Sequence, residues 1–261
     1  IRNFTIIAVA IYAIYMIIGY HLRNDINAII FYTDWAAVVV NSAMTLCLFY
    51  GAWQSRKVNQ KIYLAWLMMA SGQLCFTIGD FLFAWFETVQ NISTFASLAD
   101  IGWLMTYVLF IIGILLLPSF EVTSRERTKI LLDTAIVIVT SSLFFWSLIL
   151  EPTIHKVPKM DTISLALTVA VPVMDLILVF LVAEMLFRKL SFPGNEALKF
   201  LALGAGLWIA TDTFFIGQDL SGTYQPGGIL DSGWIAGFLF MGLAGIAQGE
   251  AAKKGAFNIA W

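Results

Sequence analysis

The second half of the chain repeats the first half at a spacing of 131–132 residues, and the repeated positions include acidic residues inside apolar segments. Residues 70–83 return as residues 202–215, which matches Asp80 to Asp212. The same comparison matches Asp100 to Asp231 and Trp103 to Trp234. A carboxylate costs about 2.5–3.5 kcal/mol in a bilayer interior, so an acid there is by default a hypothesis about function. The sequence therefore predicts a duplicated unit that contains the same acidic site twice.

The composition indicates that lipid is part of the solvent of this chain. Hydrophobic residues make up 60% of it and charged residues only 12%, whereas soluble domains contain about 25% charged residues. The net charge of −2 gives no reason to expect a nucleic-acid partner. We therefore expect the bilayer itself to be the first partner of this protein.

Eight segments are long and apolar enough to cross a bilayer core of about 30 Å, which takes roughly 20 helical residues. They lie near 4–21, 34–53, 61–86, 97–117, 129–150, 163–187, 195–217 and 229–249. Four spans per half insert both halves in the same direction, related by an axis along the membrane normal. The predicted fold is all-α, a polytopic bundle of two parallel four-helix repeats. Their ranges are 1–118 and 119–250, followed by 251–261 as a cytoplasmic tail or the start of a linker to an output domain.

The basic residues predict the orientation of the spans. Twelve Lys and Arg residues fall on one side of the predicted membrane and three on the other. Because Lys and Arg accumulate in cytoplasmic loops, both termini are expected in the cytoplasm. We predict a multi-pass protein of the plasma (inner) membrane.

The acids inside the predicted spans are the candidate site. At 1.5 Å per residue, Asp80 and Asp212 lie about 9 and 8 Å below the outer ends of the third and seventh predicted spans. Asp175 follows Pro172 at about mid-depth of the sixth span. The sequence predicts an outward-facing cavity of acids and aromatic residues. Its candidate ligand-binding residues are Asp80, Asp100, Trp103, Tyr107, Asp175, Asp212, Asp231 and Trp234.

Structural roles compete with ligand binding for these carboxylates. Asp100 and Asp231 open their helices, where an acid favourably caps the N-terminus. Capping does not explain Asp80, Asp175 or Asp212, which lie inside helices. Those three either form interhelical hydrogen bonds or line a cavity that receives a cation, a proton or a polar ligand.

Catalytic and metal motifs are missing from the sequence. His21 and His155 are 134 residues apart and close their predicted spans, but neither belongs to a metal-binding spacing such as HxxxH. No nucleophile elbow, Walker loop or dinucleotide fingerprint occurs. We expect neither a metal site nor an enzyme within this chain, and the sequence points to no particular cofactor.

Several short motifs together resemble one family of membrane modules. The motifs are Leu132-Asp133 leading to Trp146 and Pro152, Pro172-Val173-Met174-Asp175, Ser97-Leu98-Ala99-Asp100 leading to Trp103 and Tyr107, and the loop 222–228 running into 230–237. In their order and spacing they are similar to the multi-span N-terminal module that precedes PAS, GGDEF, EAL or histidine-kinase domains in prokaryotic signalling proteins. The resemblance covers most of residues 60–250.

The resemblance implies a sensory or regulatory role in the membrane, with a stimulus in the outer cavity and the last helix as the relay. A homodimer or a cytoplasmic signalling domain is the expected partner, and any output enzyme lies outside this chain.

Two other classes of membrane protein stay open. Intramembrane acids in repeated units also occur in small transporters and channels, and the aromatic surface also suits a non-catalytic subunit of a larger membrane complex.

Overall fold

The computed structural model describes residues 1–92, 97–117, 124–147, 162–187 and 195–255. Within these ranges all regular secondary structure is helical, as the sequence predicts. The helices are α1 (Arg2–Leu22), α2 (Ile26–Ser55), α3 (Gln60–Trp85), α4 (Leu98–Leu116), α5 (Ser124–Phe145), α6 (Thr162–Phe187), α7 (Asn195–Ser221) and α8 (Ile229–Lys253). The predicted all-α helix bundle is confirmed.

Seven of these helices are long and apolar enough to cross a membrane. The exception is α5, whose first two turns contain Arg125, Glu126, Arg127 and Lys129. Helix α1 is almost entirely exposed, and large apolar side chains such as Ile6, Val9 and Ile17 point away from the bundle. Apolar surface of this extent is stable in lipid and not in water, so the chain is an integral membrane protein.

Polar caps set the beginnings of the first helices. The Asp25 side chain accepts a hydrogen bond from the Ala28 amide, so α2 begins at Ile26, eight residues before the predicted span. Asn59 caps α3 in the same way, through the amides of Lys61 and Ile62. Because α2 is longer than predicted, Asp34 lies inside this helix and not at its end.

The helices that contain the repeated acids extend beyond the predicted spans. A π-helical turn, Phe86–Gln90, continues α3, and Asn91 stops it with a left-handed φ of 53°. Asp80 is therefore ten residues from the end of that turn, or about 15 Å, and Asp212 is nine residues from the end of α7, or about 14 Å. These distances to the helix ends exceed the predicted distances of about 9 and 8 Å to the span ends, because both helices continue past the predicted spans.

The two halves interlock. Helix α2 packs against α3 and also against α8, while α6 packs against α7 and also against α4. The second helix of each half thus contacts the fourth helix of the other half. The predicted boundary between the halves at 118/119 and the last tail residues, 256–261, lie outside the described residues.

Glycines bring α2 and α8 into backbone contact. A Cβ atom at Gly245 would lie against the carbonyl of Cys47, and one at Gly51 would lie against the carbonyl of Gly245. Gly249 allows the ring of Tyr50 to pack on the α8 backbone. Small residues let membrane helices approach closely and pack by dispersion contacts. Helix α8 is accordingly the most buried of the spanning helices.

Candidate functional site: two buried acid–tryptophan sites

The first site surrounds Asp80 of α3. Its Oδ1 accepts a hydrogen bond of 2.9 Å from the indole N–H of Trp103 on α4, and its Oδ2 accepts one of 2.6 Å from the Asn41 amide on α2. Gln73 donates in turn to the Asn41 carbonyl at 2.8 Å, and this bond is buried. Each oxygen of Asp80 therefore has a neutral N–H donor, which stabilises a carboxylate anion without a cation.

The second site surrounds Asp212 of α7. Its Oδ1 accepts a hydrogen bond of 2.6 Å from the indole N–H of Trp234 on α8. Its Oδ2 lies 2.9 Å from the hydroxyl of Tyr107 on α4, and that same hydroxyl lies 2.7 Å from Oδ1 of Asp175 on α6. Asp175 is fully buried, and its Oδ2 has no hydrogen-bond partner. This site joins four helices through two carboxyl groups, one phenol and one indole.

The two sites occupy equivalent positions but differ in chemistry. Both tryptophans follow their acid by nearly the same interval and bond it in the same way. Asn41 and Asp175 are 134 residues apart, and both lie on the second helix of their half; Asn41 bonds Asp80 directly, whereas Asp175 is joined to Asp212 through the Tyr107 hydroxyl. Tyr107 matches Phe238, which has no hydroxyl. The first site therefore has an amide where the second has a carboxyl, and the second has a phenol where the first has a bare ring.

Four aromatic rings fill the space between the sites. The ring of Tyr107 stacks on Trp208 with centroids 4.8 Å apart, and Phe76 packs on Phe238 at the same distance. Phe76 also contacts Trp208 edge-on at 5.5 Å. These rings form two repeat-related pairs, since Phe76 matches Trp208 and Tyr107 matches Phe238. The rings thus form a continuous packed contact between the two sites.

Asp100 and Asp231 have local roles at the starts of their helices. Asp100 accepts a hydrogen bond of 2.7 Å from the Ser97 amide in a capping box at the start of α4. Asp231 binds the loop before α8, accepting from the Gly227 amide at 2.5 Å and from the Tyr224 hydroxyl at 2.8 Å. Burial, followed by the nearby Asp231 carboxylate, raises the pKa of the Tyr224 phenol above its ordinary value. The phenol thus remains a donor at neutral pH.

The structure brings together six of the eight residues predicted for the site. Trp103 and Asp80 meet in the first site, and Tyr107, Asp175, Asp212 and Trp234 meet in the second. Asp100 and Asp231 bond locally at helix starts. The sequence analysis missed Asn41 and Gln73. The signal that marks Asn41 is its 134-residue spacing to Asp175, which equals the spacing of the two histidines.

Asp34 is a further carboxyl inside the bundle that the sequence did not predict as part of the site. Asp34 of α2 is half-buried, and its Oδ2 has no hydrogen-bond partner. Asp80, Glu87 and Asp231 are near enough to act on it electrostatically. Because the predicted span began at Asp34, this residue was expected at a helix end. It lies instead two turns inside α2.

The predicted acid-lined cavity differs from the large groove that the structure contains. A groove of about 660 Å³ lies between α1 and α2 and is lined by apolar and aromatic residues. They include Ile11, Ile14, Tyr15, Phe31, Tyr32 and Trp35. The acids lie instead in tight hydrogen-bonded sites among α2, α3, α4, α6, α7 and α8. In the described part of the chain, no group of three or more His, Cys, Asp or Glu side chains could hold a metal ion; His155 lies outside that part.

The chain matches no known family model, and no curated protein or solved structure matches it either. The fold and the sites define its class. This is an all-α integral membrane protein with two buried acid–tryptophan sites that are related by an internal repeat.

Proposed function

We propose that this chain is the membrane-embedded input module of a signal-transduction receptor, in which α8 relays the state of the buried acid sites. The single observation that carries the proposal is the hydrogen bond from Trp234 of α8 to Asp212 at 2.6 Å. The order and spacing of the sequence motifs, which resemble prokaryotic sensor modules, support the same reading. In this proposal the stimulus is a small ligand, lipid or ion, and any output enzyme lies outside the chain.

Helix α8 has the contacts that a relay requires. It packs on α7 of its own half and on α2 of the other half. Trp234 connects it to the second acid site, and Asp231 connects its first turn to the preceding loop. A change in the hydrogen bonding of Asp212 therefore acts directly on the helix that is buried most deeply.

The opposite end of α8 is held by polar contacts to α2. Gln248 donates a buried hydrogen bond of 2.9 Å to Ser55, and the Tyr50 hydroxyl donates one of 2.9 Å to Glu250. Such contacts have discrete arrangements, which is what a two-state switch needs. In this proposal a rotation or shift of α8 exchanges these contacts. The movement is transmitted to the cytoplasmic signalling domain that follows Lys254.

The distribution of Lys and Arg supports the orientation within this proposal. The residues around Arg56 and Lys57, and those around Lys253, belong to the side with twelve basic residues. In this proposal both termini lie in the cytoplasm and the chain spans the plasma (inner) membrane. The relay then reaches a cytoplasmic signalling domain, with a homodimer as the expected assembly.

The first test is the intact mass of the protein as cells produce it, compared with the 29.0 kDa of this chain. A heavier product with a cytoplasmic domain supports a receptor.

The second test compares the output activity of that native protein in membranes with the output of the Asp80→Asn/Asp212→Asn double variant. We expect the double variant to lose regulated output while it inserts normally. The matched control is Asp219→Asn, the same change at an exposed position on α7; unchanged output in a stably expressed double variant would contradict the proposal.

A small transporter is the second candidate, favoured by the chain of hydroxyl and carboxyl groups from Asp175 through Tyr107 to Asp212. Intramembrane carboxyls in series are typical of proton relays. The discriminating measurement is flux into proteoliposomes that contain the purified chain, followed with an internal pH dye. Flux that Asp212→Asn removes favours transport over the receptor.

A further inference from the structure

We infer that the Asp175–Tyr107–Asp212 cluster binds one proton, held on Asp175, so that the second acid site is a proton-binding site and the first is not. The inference goes beyond the proposed function and does not depend on it. In combination with the receptor proposal, the proton would be the stimulus to which α8 responds.

The phenol of Tyr107 has one hydrogen but two close carboxyl neighbours. Its hydroxyl oxygen lies 2.7 Å from Asp175 Oδ1 and 2.9 Å from Asp212 Oδ2, and both are hydrogen-bonding distances. A tyrosine hydroxyl donates once and accepts with its lone pairs. Only one of the two contacts can use the phenolic hydrogen, so the other contact needs a hydrogen from a carboxylic acid.

The partners of the two carboxyls decide which of them is protonated. Asp212 has the indole N–H of Trp234 on its other oxygen at 2.6 Å, which stabilises a negative charge. Asp175 is fully buried and its other oxygen has no donor, so a charge on it would be poorly stabilised. The proton therefore belongs on Oδ1 of Asp175. The acid O–H donates to the Tyr107 oxygen, and the Tyr107 O–H donates to Asp212.

No cation neutralises the cluster among the residues that the structure describes. The titratable groups that act on Asp175 from the packed helices are Asp212 and Tyr107. The partners of Asp212 are the Tyr107 hydroxyl and two indole groups, those of Trp234 and Trp208. With no Lys, Arg or His in these contacts, a proton is the available counter-charge for two carboxyls in one buried site.

The first site provides an internal comparison. At the position of Asp175 it has Asn41, whose amide donates directly to Asp80 at 2.6 Å. Trp103 supplies the second donor, at 2.9 Å. Asp80 thus has one N–H donor on each oxygen and needs no proton. The duplicated unit has become asymmetric, and the proton is confined to one half.

Infrared spectroscopy of the protein in lipid nanodiscs at pH 7 tests this inference, because a protonated carboxyl has a carbonyl band separate from that of a carboxylate. We expect Asp175→Asn to remove one such band, since the amide reproduces the role of Asn41. Asp212→Asn is expected to shift the band but not to remove it, because Asp175 stays fully buried with no donor on its Oδ2. Asp80→Asn and the exposed Asp219→Asn are the matched controls and should leave the band unchanged.

The pH dependence of unfolding in SDS gives an independent readout. Unfolded aspartate releases its proton near pH 3.9, so the folded wild type holds one more proton than the unfolded chain near pH 7. The wild type should therefore lose stability as the pH rises. Its unfolding constant, divided by that of Asp175→Asn, should increase tenfold for each pH unit. A carbonyl band that survives Asp175→Asn overturns the inference, and so does a band that Asp80→Asn removes. Because neither readout uses an output signal, failure here is distinguishable from failure of the receptor proposal.

Discussion

The indole nitrogen of Trp234 lies 2.6 Å from Oδ1 of Asp212 and joins α8 to α7 at a point about 14 Å from the end of α7. Trp103 makes the matching bond to Asp80. A neutral indole N–H directed at a buried carboxylate stabilises the charge without a second ion. The chain has thereby placed two acids in a bilayer interior with no salt bridge to either of them among the described residues.

Loss of the indole donor should destabilise the second site. Trp234→Phe leaves the ring volume largely intact but removes the hydrogen bond to Asp212, so one carboxylate oxygen loses its partner. We expect a loss of about 1–2 kcal/mol in the free energy of unfolding, measured by SDS titration in mixed micelles. Trp53→Phe, at an exposed position on α2, is the control. A loss of equal size in Trp53→Phe would show that ring truncation, and not the hydrogen bond, is responsible.

A second carboxyl in the first site should make the stability of that site depend on pH. In Asn41→Asp the amide donor to Asp80 becomes an acceptor, and Phe238 offers no hydroxyl to bridge the two acids. The variant should be less stable than the wild type at pH 7 and should recover as the pH falls, because protonation restores a donor. Thermal unfolding followed by circular dichroism between pH 4 and 8 measures this. Asn27→Asp, exposed on the same helix, should show no such trend.

The α2–α8 contact should not tolerate added volume. Gly245→Leu would force its side chain into the backbone of Cys47 and Leu48, which separates the two helices. We expect a destabilisation of about 1–3 kcal/mol, together with weaker cross-linking between introduced cysteines on α2 and α8. Gly206→Ala on α7 is the control, because a Cβ there meets nothing. Since Ala is a better helix former than Gly, this control should be neutral or slightly stabilising.

The loop before α8 should depend on the phenol of Tyr224. Tyr224→Phe removes the 2.8 Å hydrogen bond to Asp231 and leaves that carboxylate with the Gly227 amide. We expect faster hydrogen exchange at Gly227 and cleavage of the loop at lower protease concentration, corresponding to a local loss of about 1 kcal/mol. Tyr20→Phe on α1, where the side chain is exposed, should leave both measurements unchanged. Equal exchange at Gly227 in Tyr224→Phe and the wild type would mean that the backbone bond alone holds the loop.

Residue pattern by itself was enough to determine the class of fold. Runs of about 20 apolar residues must form helices in lipid, because only helices and closed barrels satisfy every backbone group there. The number of helices followed from that rule, and the internal repeat drew attention to Asp80 and Asp212, which lie inside helices. Helix ends were less well determined. The Asp25 cap and the π-turn after Trp85 lengthen α2 and α3 through local hydrogen bonds, to which hydrophobicity is not sensitive.

Only the tertiary structure decided which groups meet. Asn41 and Gln73 belong to different helices, and nothing local indicates that they form a chain with Asp80. Likewise, Tyr107 of the first half bonds two acids of the second half because the fourth helix of each half packs on the second helix of the other. The sequence therefore determined that acids lie inside the membrane, since that depends on local hydrophobicity. Their partners depend on how distant helices pack, and packing distinguishes a site with an indole and an amide donor from a site in which one phenol lies between two carboxyls.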